Sequence, residues 1–209
     1  MRVGDDLLAA AAGLAGGWRV EAAARVAARG VAGGRSDRLV ACGRRRELHP
    51  GEKRGSATGP SPVDRGRSGS KYHLLTDGSG LPLAWTLTGA NRNDGTQLLL
   101  LVEAIPPVRG RRGPPKRRPQ RVVADRGYDH ELYRRQLRAL GVTPLIARRM
   151  TEHGSGLGSW RWVVERTFAW IHQFHRLHVR YERSEQTHQA LLDLACCLIC
   201  FRRLQHSLC

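Results

Sequence analysis

The apolar positions of this chain fall into regular spacings only from about Gly55 onward. Before that point Ala, Gly and Arg dominate. "VEAAARVAARGVAGG" has helical propensity but almost no large apolar side chain to bury. "SDRLVACGRRRELHPGEKRG" follows neither the two-residue period of a strand nor the 3.6-residue period of a helix. Little stable structure is expected across residues 1–54.

Beyond the Pro/Gly/Ser loop "GPSPVDRGRSG" the elements become legible. "KYHLLTD" (Lys71–Asp77) and "LPLAWTLTG" (Leu81–Gly89) predict two strands joined by a "GSG" turn, which makes a hairpin. Asn93 and Asp94 are cap-type residues that open a helix running to Ile105. "PPVRGRRGPPKRRPQ" is a basic loop. "RVVAD" (Arg121–Asp125) is a short buried strand, and Asp129 is expected to cap the helix "DHELYRRQLRALG", which Gly141 stops. "VTPLIAR" is a further strand. After the glycine-rich "TEHGSGLGS", the apolar spacing of "WRWVVERTFAWIHQFHRL" marks an amphipathic helix. "QTHQALLDLACCLICFRRL" is apolar on most sides and suits a core helix. Strands mixed with helices in this order imply an α/β fold, a mixed sheet with helices on its faces.

Composition changes the picture through charge. The chain has 209 residues, ordinary hydrophobic content at 41%, and 35 Lys+Arg against 18 Asp+Glu, a net charge of +17. One domain with a real core fits this length. The charge favours a polyanion, nucleic acid first, although a GC-rich genome also raises arginine content. No run of about eighteen apolar residues is present, so no membrane span is expected. "MRVGDDLLAAAAGLAGG" faintly resembles a signal peptide, but Asp5 and Asp6 precede its apolar part. A cytoplasmic, nucleoid-associated location is expected. Of the five cysteines, Cys196, Cys197 and Cys200 share one apolar run, and Cys197 and Cys200 form a single CxxC. Buried helix cysteines explain this better than a metal site, and the odd count gives no disulfide framework.

Two acids stand out by position. Asp125 ends a buried strand, where α/β sheets build their sites. Glu165 sits inside the helix segment "WVVERTF" between Arg161 and Arg166. Converging carboxylates suit hard divalent cations, and two such ions can activate one oxygen and stabilise another across a phosphate. The plainer alternatives are an N-capping Asp and an intrahelical Glu–Arg pair. Asp77 is most simply a turn residue, and Asp64 a loop acid among arginines. Arg65, Arg67, Lys71, Arg111, Arg112, Lys116, Arg117, Arg118 and Arg126 are candidate phosphate contacts, which position DNA without reading its sequence. Their alternative is a solvated charge run. Arg161 and Arg166 face phosphate or pair with Glu165. Trp160, Trp162 and Trp170 are core residues or platforms for an unpaired base.

The pieces "TGPSPVDRGRSGSKYHLLTD", "GLPLAWTLTGANRNDGTQLL", "VVADRGYD", "TEHGSGLG", "RWVVERTFAWIHQFHRLHVRYE" and "ALLDLACCLICFRRL" occur in that order. Together they resemble the DDE-type transposases of bacterial insertion sequences, in particular the insertion-sequence-five family, from Gly55 to Leu204. The resemblance implies a ribonuclease-H-like fold and DNA cleavage dependent on Mg²⁺ (or Mn²⁺) at terminal inverted repeats. It further implies strand transfer into target DNA and a homo-oligomeric synaptic complex on double-stranded DNA. It maps the second catalytic and metal-binding acid onto Asp125 and the third onto Glu165.

The first acid of that pattern belongs on a central strand before the "TGPSP" loop, in a stretch like "DWSRAVVDASSVRA". Here that place holds "RLVACGRRRELHPGEKRG". Back-translation of Gly17–Gly55 with GC-rich codons, read one base later, allows a hidden "GWSRAGVDASCIRA", acid included. Residues 1–54 are therefore expected to be out of frame and poorly structured, with the central strand missing. Residues 55–209 are expected to be an incomplete catalytic domain, inactive as this single chain. The alternatives are a noncatalytic DNA-binding fragment that inhibits the complete enzyme by mixed assembly, and a generic basic RNA-binding protein.

Overall fold

The computed structural model describes residues 39–48, 55–62, 65–108, 114–150 and 158–208, the first of these stretches through its backbone. The strands are β1 (Leu39–Leu48), β2 (Gly59–Pro60), β3 (Ser68–Asp77), β4 (Pro82–Gly89), β5 (Arg121–Ala124) and β6 (Thr143–Ile146). The helices are α1 (Gly95–Glu103), α2 (Glu131–Ala139), α3 (Gly158–Ile171), the single turn α4 (His175–His178) and α5 (Glu185–Leu208). One mixed sheet runs β2–β3–β1–β5–β6, and β4 also pairs with β3.

The expected absence of a central strand is corrected by this topology. β1 lies between β3 and β5, antiparallel to β3 from Val40↔Asp77 to Leu48↔Gly69 and parallel to β5 from Leu39↔Arg121 to Cys42↔Ala124. The expectation failed because a central strand is held by main-chain hydrogen bonds along both edges, which require no side-chain period. The remainder of residues 1–38 and 49–54 lies outside the described residues.

Two apolar layers cover the sheet. On one face Leu75, Val122 and Ala124 pack with Leu98, Leu101 and Val102 of α1 and Leu137 of α2. On the other, Tyr72, Leu74 and Leu87 pack with Val164, Phe168 and Ile171 of α3 and Leu192, Cys196 and Ile199 of α5. β3 feeds both layers, which explains why nearly every one of its residues is buried. α2 stops where expected: Gly141 has φ +76°, a left-handed conformation that glycine adopts without a Cβ clash, and its N–H reaches the Arg138 carbonyl. Its start differs. His130 caps the helix by accepting from the Leu132 N–H, while Asp129 pairs with Arg134 and accepts from the Arg149 N–H. The CxxC cysteines are free thiols on α5, as expected, and burial pushes Cys200 up to about 12.

Buried polar groups tie Ser56, Ala57 and β3 to the α4–α5 connection. Arg180 is 1% exposed. It donates to the carbonyls of Ser56, Ala57, Glu182 and Arg183 and to the Ser70 hydroxyl. Glu182 accepts from Arg176 and bonds to His188 Nδ1, and His188 Nε2 meets the Tyr72 hydroxyl. This chain crosses from the α4–α5 connection to the middle of β3.

Burial opposes ionisation of both Glu182 and Asp129. The hydrogen bonds from Arg176 and His188 to Glu182, and from Arg134 and the Arg149 amide to Asp129, outweigh it and hold both carboxyls below their usual range. A lowered native value means stability that is present above the ordinary carboxylate range and is lost as pH falls through the native values. The thermal midpoint should therefore drop steeply below about pH 4, and Glu182→Gln should blunt that drop. A midpoint flat from neutral pH to strong acid would contradict this assignment.

Candidate active site and nucleic-acid interface

Asp125 follows directly on β5 in extended conformation, and its Oδ1 accepts the Gly127 N–H at 2.8 Å, capping a single 3₁₀ turn from Arg126 to Tyr128. Ala124 faces the α1–α2 layer, so strand alternation puts Asp125 on the α3 side of the sheet. α3 packs across β1, β3 and β5 on that side. Glu165 is on this helix, 59% exposed, and its Oε1 takes Arg161 Nε at 3.0 Å one turn away. Both plain alternatives are thus present in the structure: a capping Asp and an i,i+4 ion pair.

The β1 register defines what lies between these acids. Gly43 and Arg45 pair with Leu74 and Tyr72, residues of the α3-side layer, so positions 43 and 45 belong to that side. Glu47 is the only acid anywhere in β1. Asp125 and Glu165 have the oxygen donors that Mg²⁺ or Mn²⁺ favours. Among the described residues, however, no group of three His, Cys, Asp or Glu comes together that could hold an ion. The donor set among the described residues does not make up a two-metal site.

The basic candidates divide sharply. Lys71 is not a surface contact: its side chain is 4% exposed, forms an ion pair with Asp94 at 3.1 Å and donates to the Arg92 carbonyl at 2.7 Å. Its position on doubly covered β3 explains the correction. Arg166 does not pair with Glu165; its Nη2 donates to the Ser79 carbonyl at 2.7 Å. Arg65, Arg67, Lys116, Arg117 and Arg118 are exposed, Arg118 donating to the Leu140 carbonyl, and Arg126 is half-buried. A Val108↔Lys116 bridge closes the base of the basic loop. Arg111, Arg112 and the loop acid Asp64 lie outside the described residues.

One arrangement was not legible in the sequence. The β3–β4 turn is built by Asp77, which accepts from the Ser79 and Leu81 N–H groups, with Gly80 at φ +87°. Arg166 and Arg203 both donate to the Ser79 carbonyl, and the Thr167 hydroxyl donates to the Gly80 carbonyl at 2.8 Å. Two helices therefore clamp one turn and fix how α3, and Glu165 with it, lies over the sheet. The local turn residues gave a signal; their partners about ninety residues away gave none.

Residues 43–200 match the family described as the transposase DDE domain. The chain belongs to that family. This transposase domain chain is 54% identical over 207 residues to a putative transposase for insertion sequence element IS402 from Burkholderia cepacia. That alignment covers 99% of this chain and 98% of the relative, so it runs through residues 1–54 as well. Among solved structures, it is similar to the catalytic core domain of BIV integrase, at TM-score 0.44 and 10% identity over 76% of this chain and 82% of that one. It is also similar to a Mos1 mariner paired-end complex with Mn, at TM-score 0.33 and 13% identity over 85% of this chain and 61% of that one. No helix among the described residues of the transposase domain is long and apolar enough to cross a membrane.

Removing Lys71 should reveal a structural role. Lys71→Ala takes the ammonium away from the buried Asp94 carboxylate and should cost about 3 kcal/mol in urea unfolding, with DNA affinity per folded molecule unchanged. Unaltered stability with weakened DNA binding would return Lys71 to the surface.

Proposed function

We propose that this chain binds double-stranded DNA at the ends of its insertion sequence and does not by itself cut it. Family membership and the net charge of +17 support DNA as the partner. The chemistry of the family is strand cleavage and transfer with divalent metal ions. Asp125 and Glu165 are the residues of this chain assigned to it as catalytic and metal-binding acids. The observation that carries the proposal is β1: the central strand beside Asp125 is filled, and the position that follows Cys42 alongside Asp125 is Gly43, while the acid of this strand, Glu47, falls four residues further along.

With the metal set incomplete, what this chain's residues do is bind and orient. Exposed Arg65, Arg67, Lys116, Arg117 and Arg118, with Arg126 beside Asp125, offer a cationic surface for phosphates. Such contacts set register on a duplex and release counterions, so affinity falls steeply with salt. Arg111 and Arg112 belong to the same basic loop by sequence. Arg161 neutralises Glu165 in the absence of a metal and becomes a phosphate contact where Glu165 is otherwise engaged. In a homo-oligomeric synaptic complex of the complete enzyme, this chain would take a subunit's place without a full set of acids and so act as an inhibitor.

The reading frame is part of the proposal. Residues 17–55 carry the first-acid motif one base out of frame. The alignment with the IS402 protein covers 99% of this chain, so it extends into this segment. The DNA across codons 15–56 tests it directly: codons unable to give "GWSRAGVDASCIRA" in the second frame sink the idea.

The functional test uses purified chain and DNA carrying the element's inverted repeat. Binding should be specific, and Asp125→Asn and Glu165→Gln should each leave affinity within about threefold, since neither acid contacts phosphate without metal. The parent should give no cleavage or strand transfer with Mg²⁺ or Mn²⁺. Metal-dependent turnover by the parent, abolished by either substitution, would overturn the proposal in favour of a competent enzyme.

A further inference from the structure

Trp162, Arg166 and Trp170 recur every four residues along α3 and so share one face of the helix. The Arg166 guanidinium lies 4.3 Å from the Trp162 ring centre and 5.0 Å from that of Trp170. Arg203, from α5, lies 4.8 Å from the Trp170 ring centre. The result is an alternating ladder of indole and guanidinium. Its foot is fixed, because both arginines donate to the Ser79 carbonyl in the clamped β3–β4 turn.

The head of the ladder is open. Trp162 is 49% exposed and its neighbour Trp160 is 42% exposed, whereas Trp170 is half-buried. A purely structural indole would continue under cover, as Trp170 does. Trp162 instead has a cation against its ring and about half of its surface facing solvent. A ring held in place in this way loses little freedom when a flat ligand stacks on it. The surroundings select the ligand's charge. Arg161, on the same helix, and Arg203, against the Trp170 ring, are exposed, and the acid three residues along the helix, Glu165, is already paired with Arg161.

We propose that Trp162 is a stacking platform for an unpaired base at a DNA end, with Arg161 and Arg203 taking the adjoining phosphates. Base–indole stacking accepts any base, because each has a π-face, and it requires a base already free of its pair. The platform stands one helical turn from Glu165, the acid assigned to the reacting strand. A frayed end docked there is thereby delivered to the acid rather than to the far side of the molecule. This inference rests on DNA being the partner. It adds to that reading a preference for ends with unpaired nucleotides.

Full-length chain is titrated with a labelled blunt duplex and with the same duplex carrying a short unpaired tail, at one salt concentration, by fluorescence anisotropy. The parent should favour the tailed duplex. Trp162→Ala should weaken tailed-duplex binding by roughly tenfold to a hundredfold and leave the blunt duplex within about twofold. Trp162→Phe, which keeps a ring, should retain most of the preference, and circular dichroism establishes that each variant is folded. Equal loss on both duplexes, or no loss on the tailed one, overturns the platform while leaving DNA binding intact. A change in sedimentation of Trp162→Ala with no change in preference assigns the surface to a second copy of the chain and also overturns it. A parent that binds neither duplex removes the DNA reading itself.

Discussion

Main-chain pairing along both edges of β1 makes one sheet out of two pieces. β2, β3 and β4 are sequential and antiparallel, whereas β5 and β6 are parallel to each other. Among the described strands, the two groups are paired into one sheet only through β1. Because β1 runs antiparallel to β3 and parallel to β5, it also sets the offset between the hairpin and the strand that ends in Asp125. α3 lies across all three strands, so the position of Glu165 over the sheet inherits the same register. A strand in this position contributes through its hydrogen bonds whatever its side chains are. The fold can therefore be set there independently of the chemistry that the side chains offer.

That separation of fold from chemistry recurs throughout the molecule. Asp125 closes a 3₁₀ turn and Glu165 holds an arginine, so both acids have local structural partners. Lys71 and Asp94 form a buried ion pair, and Arg180 donates to several carbonyl dipoles. Buried charges satisfied in this way fix geometry, because removing one partner strands the other. The charges left exposed, chiefly the arginines and Lys116 between Arg65 and Arg118 and those on the faces of α3 and α5, give the molecule its cationic surface. Membership of the transposase DDE domain family and this surface agree on DNA.

From Gly55 onward, much of the architecture was legible in the sequence. "KYHLLTD" and "LPLAWTLTG" gave the hairpin because their residues are β-branched, aromatic or apolar on both sides of a glycine turn, and Gly141 stopped α2 because only a left-handed residue ends a helix that way. Asp125 and Glu165 were found by position and by the motifs around them. β1 was not legible, since "LVACGRRREL" owes its conformation to its neighbours on both edges and not to its own pattern. Lys71 was misread as a surface cation because a strand covered on both faces has no polar side to reveal by alternation. Asp129 was misread as a cap because its partners Arg134 and Arg149 are set by tertiary packing. The Ser79 clamp and the indole–guanidinium ladder join α3 to α5 and to a distant turn, contacts that no local spacing announces.

Amide hydrogen exchange of the intact chain, resolved by peptide, tests most directly whether β1 is the element on which the rest depends. Amides of Val40–Cys42 should exchange as slowly as those of β3, because there both strands are paired on two sides and open only when the sheet opens. Exchange of this segment at the rate of a free chain, with β3 still protected, would show that the hairpin and the Asp125 strand are not joined through β1, and would contradict the account.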